Sequence, residues 1–308
     1  MRRRDFMKLL GGAAAWPIAA GAQQSQKQHR IAFVHSGIPA DHLTETTGPF
    51  WVRRFYETLR GLGETEGSNL VVERYSAEGR ADRFAALAAE VVGRKPDVIV
   101  FNLNDLVKAF TTATTTIPIV AIIADPIALG LVRSLARPGG NLTGVSIDTG
   151  TGIVAKRLQI LKEAMPSAIK VAYLLSNSGT WDSSAGLPDR EAAQQLGIAL
   201  TGNFLAEVNE VQLRRTIVEL AQKHRIPVIY PYRDYADLGG LMAYAPELGE
   251  LAQRMANDVH QILNGAKPGD IPFYQPNKFQ LIVNLKAAKA LDLIIPQSLI
   301  TSADEVIE

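Results

Sequence analysis

Ile117–Ser146, IPIVAIIADPIALGLVRSLARPGGNLTGVS, is the stretch from which the fold can be read. It opens as a short apolar run, Ile117 to Ala124, with Pro118 near its start, and this reads as a buried strand. Asp125-Pro126 breaks the strand, and the residues from Ile127 to Ala136 read as a helix. Pro138-Gly139-Gly140 breaks that helix in turn and leads to a second strand-like run, Leu142 to Ile147. About three repeats of strand then helix precede the stretch, and the same alternation resumes after it. Two similar α/β lobes hinged near this segment, with a cleft between them, are the expected architecture.

Outward from it on the N-terminal side, Ile31–His35, Asn69–Tyr75 and Asp97–Phe101 read as strands. Between the last two, Phe84, Leu87, Ala88, Val91 and Val92 fall at i, i+3, i+4, i+7 and i+8 of a helix. On the C-terminal side, Lys170–Leu175, Ile198–Leu205, Ile226–Tyr230 and Phe279–Val283 read as strands. Ile153–Ala164, Pro188–Leu196, Val211–His224 and Glu247–Leu263 read as helices. Strands separated by whole helices pair in parallel, because the crossover needs that much chain. Right-handed crossovers then cover both sheet faces with helices, and ligands sit beyond the carboxyl ends of the strands.

The 308 residues suffice for two domains of ordinary size, and a 47% hydrophobic content supports packed cores. Arg2-Arg3-Arg4-Asp5-Phe6-Met7-Lys8, an apolar run to Ala22 and Ala20-Gly21-Ala22 follow the grammar of a cleaved export signal. The run from Leu9 to Ala22 is short of the ~20 residues that span a bilayer. Arg3-Arg4-x-Phe6-Met7-Lys8 resembles a twin-arginine signal, with Arg2 where that motif favours Ser or Thr. Four of the 32 basic and one of the 31 acidic side chains lie in Met1–Ala22, which leaves 28 against 30. A net charge of −2 lacks the basic excess of a nucleic-acid binder. No cysteine is present, so disulfides, thiolate metal sites and thiol nucleophiles are excluded. A soluble, monomeric periplasmic protein is expected.

The strand-exit loops supply the candidate site. Ser36-Gly37 after the first strand and Ser176-Asn177 after the Lys170 strand are small polar exits, suited either to offering backbone N–H groups to a carboxylate or to ordinary turns. Asn102 and Asn104 follow the third strand and fit either ligand contact or a helix cap. Asp125-Pro126 places a carboxylate where it meets a ligand ammonium or caps a helix with Pro at its first position. Tyr230, Tyr232 and Arg233, with Tyr235, form an aromatic–cation cluster suited to stacking on a ring or gripping a carboxylate. Trp51 and Trp181 read as packing or rim residues. The five histidines show no metal spacing, no dinucleotide fingerprint follows a strand, and no nucleophile elbow is complete, so no cofactor and no catalytic residue are assigned. An exported α/β hydrolase-like enzyme, a sensory binding protein without a transport role and a transcriptional regulator are the rival readings.

Several motifs together resemble a known family: Ala77-Glu78-Gly79, Ile117-Pro118-Ile119-Val120, Asp125-Pro126, Ser134 to Val145 (SLARPGGNLTGV), Gly239-Gly240-Leu241-Met242-x-Tyr244, Pro276-x-Lys278-Phe279, and Asn284-Leu285-Lys286-x-Ala288-Lys289-Ala290-Leu291. They look like ABC-transporter substrate-binding proteins of the tryptophan/tyrosine-binding type, over nearly the whole chain. The resemblance implies a type I periplasmic binding protein: two Rossmann-like lobes with parallel sheets, joined by three crossovers and closing on a small ligand. An aromatic or branched amino acid and an inner-membrane ABC permease are the implied partners. Tyr244, in the Gly-Gly-Leu motif, is implied either to line the cleft or to brace a crossover. The last helices are implied to return to the first lobe, so lobe I is expected over 28–125 and 246–266, and lobe II over 126–245 and 267–308. One departure stands out: Asn203–Gln212 bridges directly a place where relatives carry a further strand and helix. About 30 residues, the size of a βα unit, are missing there, so the second lobe is expected to close with a narrower sheet.

Overall fold

The computed structural model describes residues 28–308 except 103, 124, 148–151, 176–180, 182–185 and 205–209. The expected export signal, Met1–Ala22, lies outside the described residues. In chain order the elements are β1 (His29–His35), α1 (Phe50–Gly61), β2 (Leu70–Ser76), α2 (Phe84–Gly93), β3 (Val98–Asn102), α3 (Asn104–Ala113), β4 (Ile119–Ile123) and β5 (Leu142–Ser146). There follow α4 (Gly152–Ala164), β6 (Lys170–Leu175), α5 (Leu187–Gln195), β7 (Ala199–Phe204), α6 (Glu210–Lys223), β8 (Ile229–Tyr230), α7 (Arg233–Asp237) and β9 (Met242–Pro246). The last are α8 (Leu248–Leu263), β10 (Phe279–Asn284), α9 (Leu285–Ala290), α10 (Gln297–Ser302) and β11 (Glu305–Ile307).

The first lobe is a five-stranded sheet in the order β2-β1-β3-β4-β5, with every pairing parallel. Alternation along β1 sends Ile31 and Phe33 to one face and Ala32 and Val34 to the other, and both faces are dry. On the first face lie Val52, Phe55 and Leu59 of α1 with Leu251, Met255 and Val259 of α8; on the second lie Leu87 and Val91 of α2 with Leu106 and Phe110 of α3. The chain thus returns from the second lobe to complete the first with α8.

Two boundaries differ from the expected ones. A division after residue 125 assigns Leu142–Ser146 to the second lobe, yet β5 pairs with β4 from Ile119↔Leu142 to Ile123↔Ser146. Residues 267–275 likewise stay on the first lobe, strapped along the open edge of β5. Tyr274 N–H donates to Gly144 O and Ser146 N–H to Tyr274 O, both at 2.8 Å, and the Thr143 hydroxyl donates to Ile271 O at 2.7 Å. The SLARPGGNLTGV run builds this clasp. Gly139 N–H donates to Gly269 O at 3.1 Å, and a Cβ on Gly269 would stand 2.7 Å from Gly140 N. Gly144, at φ +137°, lies so close to β4 that a Cβ would press on the Ala121 carbonyl.

The helix expected over Ile127–Ala136 is a turn and irregular chain. Gly130, at φ +69°, closes a single turn that the Asp125 carboxylate caps, accepting from Ile127 and Ala128 N–H at 2.9 and 3.0 Å. Ile127 and Leu129 are exposed, so the apolar spacing there does not mark one buried face.

The chain crosses between lobes after β5, after β9 and between Tyr274 and β10. In the second lobe β10 runs antiparallel to β9 while β10–β11 and β8–β9 are parallel. The reason is topological: β9 carries the chain out to the first lobe and β10 brings it back. The second lobe divides into a four-stranded sheet, β11-β10-β9-β8, and a separate pair, β6-β7. Helix α4 bridges them, with Ile160 and Leu161 packed toward the larger sheet and Leu158 packed on Ala193 and Ile198. Arg157 of the same helix reaches across, donating through Nε to Tyr244 O at 2.9 Å and through Nη2 to Pro231 O at 3.4 Å.

Candidate functional site

A cavity of about 670 Å³ lies between the lobes. The first lobe lines it with His35 and Ile38 at and beyond the end of β1, Trp51 in the first turn of α1, Ile122 of β4 and Leu251 of α8. The second lobe lines it with Arg214 and Arg215 of α6, Tyr232 ahead of α7, and Asp234 and Asp237 within α7. Strand exits in both lobes open onto it, where a doubly wound sheet concentrates helix starts and loops.

His35 is buried, and its Nδ1 accepts from the N–H groups of Gly37 and Ile38 at 2.9 and 2.8 Å. That leaves the proton of the neutral ring on Nε2. Burial, and then the Arg214 guanidinium across the cleft, push its pKa down to about 3. The ring is stacked on Trp51 at 6.0 Å between centroids, and Trp51 rests in turn on Phe33 at 6.1 Å. The first lobe therefore presents a rigid, neutral aromatic shelf.

Charge comes from the second lobe. Arg214 is paired with Asp234 and lies over the Tyr232 and Tyr235 rings at 5.6 and 5.9 Å, so one carboxylate and two ring faces fix its guanidinium plane. Arg215 lines the cavity beside it. Asp237 also lines the cavity and lies 3.4 Å from Arg233 Nε; burial raises its pKa against the pull of that guanidinium.

Of the candidate site residues whose side chains are described, Tyr232 is the one that lines the cavity, and Trp51, read from the sequence as a packing or rim residue, lines it too. Ser36 and Gly37 form the turn that His35 caps, and Ser36 O accepts from Gly79 N–H at 2.7 Å. Asn102 ends β3 and Asn104 opens α3; their side chains are outside the described set, as are Ser176 and Asn177 entirely. Asp125 caps its turn. Tyr230 is buried and stacked on Tyr235 at 4.7 Å, and Gly240 packs so tightly under it that a Cβ would stand 2.7 Å from Tyr235 O. Arg233 faces Glu305, with its Nη2 donating to Oε1 at 2.7 Å. Tyr244 is half-buried and stacked on Phe279 at 5.6 Å.

The residues that sequence reading passed over are His35, Arg214, Arg215, Asp234 and Asp237. His35 carried a usable signal, because it is the last residue of a strand whose exit the topology points to the cleft. Arg214 and Arg215 carried none beyond a helix surface pattern. Among the described residues no three His, Asp or Glu side chains stand together as metal ligands, and no helix is long and apolar enough to cross a membrane.

Comparisons with known proteins agree with this fold. A model of the family described as ABC transporter substrate binding protein matches residues 51–214 and 211–307. The two matches overlap at residues 211–214. A tyrosine-binding protein of Clostridioides difficile (strain R20291) is 25% identical over 263 residues, covering 78% of this chain and 75% of that protein. A Streptococcus pneumoniae domain solved in complex with L-Trp superposes with a TM-score of 0.77 at 20% identity, over 91% of this chain and 100% of that one. The ligand-free, open structure of a substrate-binding protein with adhesive properties from Clostridium difficile gives 0.65 at 22% identity, over 91% and 99%.

Proposed function

Because the chain belongs to the ABC transporter substrate-binding protein family, we propose that it captures an aromatic amino acid in the inter-lobe cavity and delivers it to an inner-membrane permease. The observation that carries this reading is the cavity itself, walled by both lobes, with an aromatic shelf on one side and paired charges on the other. Trp51 and His35 suit a flat ring, and Arg214 beside Asp234 suits an adjacent carboxylate and ammonium. The tyrosine-binding and L-Trp-bound relatives support the same class of ligand.

Capture is a hinge motion at the three crossovers. A ligand that touches both walls favours the closed form by the difference between its affinities for the two forms. No bond is made or broken. The family is typically extracytoplasmic, and Met1–Ala22 supports export to the periplasm by the twin-arginine route. The test is a thermal-shift screen of the purified protein against the twenty amino acids, with nucleobases and sugars as controls. L-Trp or L-Tyr is expected to raise the melting midpoint, since a ligand bound only to the native state stabilises it. A rise with sugars alone would move the protein to another ligand class.

A further inference from the structure

Among the described residues, every Arg, Lys, Asp and Glu that lines the cavity, namely Arg214, Arg215, Asp234 and Asp237, comes from α6 and α7 of the second lobe. The first-lobe wall contributes Trp51, Ile38, Ile122 and Leu251 with the histidines His35 and His42. His35 is held neutral by its two backbone donors, so it offers a single N–H and no charge. The cavity is therefore polarised, one wall neutral and aromatic and the other charged. The charges are themselves ordered, with Arg214 and Asp234 side by side as an ion pair that both partners present to the cavity. An adjacent cation and anion form the complement of an α-amino acid's adjacent carboxylate and ammonium. Arg215 is different, because among the described residues it has no carboxylate within ion-pair distance. An unneutralised guanidinium at a cavity wall is an anion receptor with a fork geometry suited to a carboxylate.

We propose that the second lobe reads the charged end of the ligand, Arg215 and Arg214 taking the α-carboxylate and Asp234 the α-ammonium, while the first lobe holds the side chain on Trp51. This inference rests on the ligand class proposed above and adds its orientation. It also makes Arg215 a specificity-determining residue that works by discrimination against amines lacking a carboxylate. Losing that carboxylate leaves a cation facing a cation, whereas losing the aromatic ring leaves the charged end fully served.

The experiment is calorimetric titration of the purified protein and its Arg215→Gln, Asp234→Asn and Trp51→Ala variants with three probes: L-tryptophan, tryptamine and indole-3-propionate. Wild type is expected to bind L-tryptophan roughly 10- to 100-fold more tightly than either truncated probe, the range of one charge-assisted hydrogen bond. Arg215→Gln is expected to weaken L-tryptophan and indole-3-propionate while tightening tryptamine, which no longer faces an unmatched cation. Asp234→Asn is expected to do the reverse, weakening L-tryptophan and tryptamine alone. Trp51→Ala is expected to weaken all three alike. The orientation is overturned if Arg215→Gln weakens tryptamine as much as L-tryptophan, or if wild type binds tryptamine as tightly as L-tryptophan. Should wild type bind none of the three, the ligand class itself fails and the orientation with it, a result distinct from binding that the variants leave unchanged.

Discussion

The Nε of Arg157 donates to the carbonyl oxygen of Tyr244 at 2.9 Å, just past the point where β8 stops pairing with β9. In a continuous sheet a neighbouring strand would serve that carbonyl. Here a side chain from α4 serves it, and the same guanidinium also takes Pro231 O at 3.4 Å. Burial lowers the pKa of Arg157, and the groups around it that favour its charge are Tyr173, Tyr232, Tyr244 and Asp189. One arginine thus ties α4, which packs on the β6–β7 pair, to the larger sheet.

Arg157→Met keeps the length and the apolar stem but leaves two carbonyls without their donor. It is expected to lower stability by about 1–3 kcal/mol, read as a lower urea midpoint. A midpoint equal to wild type would show that the carbonyls find other donors and that Arg157 does not join the sheets.

Gly144→Ala asks for a Cβ against the backbone of Ala121 at φ +137°. Overpacking and strain together are expected to cost about 2–5 kcal/mol, enough to leave most of the protein insoluble on expression. Gly61→Ala, where a Cβ meets nothing within 4 Å, is the matched control and is expected to fold normally.

Two buried groups give opposite pH dependences. His35 has a folded pKa of about 3 against an ordinary 6.5, so its contribution is complete above 6.5 and is lost as the pH falls toward 3. Asp258, on α8, is fully buried, and burial lifts it to about 7 against the pull of Arg254. Its contribution is present below the ordinary carboxylate value of 3.8 and is lost as the pH rises through 7. Asp258→Asn is therefore expected to gain on wild type more at pH 8 than at pH 5. His35→Asn, which keeps an acceptor for the two N–H groups, is expected to compare better with wild type at pH 4 than at pH 7.5. Urea unfolding of each pair at both pH values decides the matter, and differences that do not change with pH would contradict the assignment.

Arg233 faces Glu305 and Asp237 and is not among the cavity-lining residues. Arg233→Ala is expected to lower stability by roughly 0.5–1 kcal/mol, as partly exposed ion pairs do, and to change ligand affinity less than twofold. A large loss of affinity by calorimetry would return Arg233 to the site.

The fold was legible because its signals are local. The β1 run and the i, i+3, i+4 pattern of α2 each carry their own periodicity. The Ile127–Ala136 segment misled because its apolar spacing is helical while Gly130 ends the turn after one cycle. The site was less legible because a cleft gathers residues distant in sequence. Nothing near Arg214 and Arg215 shows which side of α6 meets the first lobe. Arg233, by contrast, drew attention through neighbours that belong to the core: Tyr230 and Tyr235 stack on each other and leave it facing outward. The most distinctive motif, SLARPGGNLTGV, proved to be a backbone clasp, where contact with Ala121 requires a glycine at Gly144 and contact with Gly140 requires one at Gly269.

The return of α8 to the first lobe sets an order for synthesis. Trp51, Val52, Phe55 and Leu59 emerge from the ribosome about two hundred residues before Leu251, Met255 and Val259, the side chains that cover them. Until those arrive, a nascent chain carries an uncovered greasy helix, which is the kind of surface a holding chaperone recognises. The amino-terminal half of this protein cannot mature until nearly all of the polypeptide has been made.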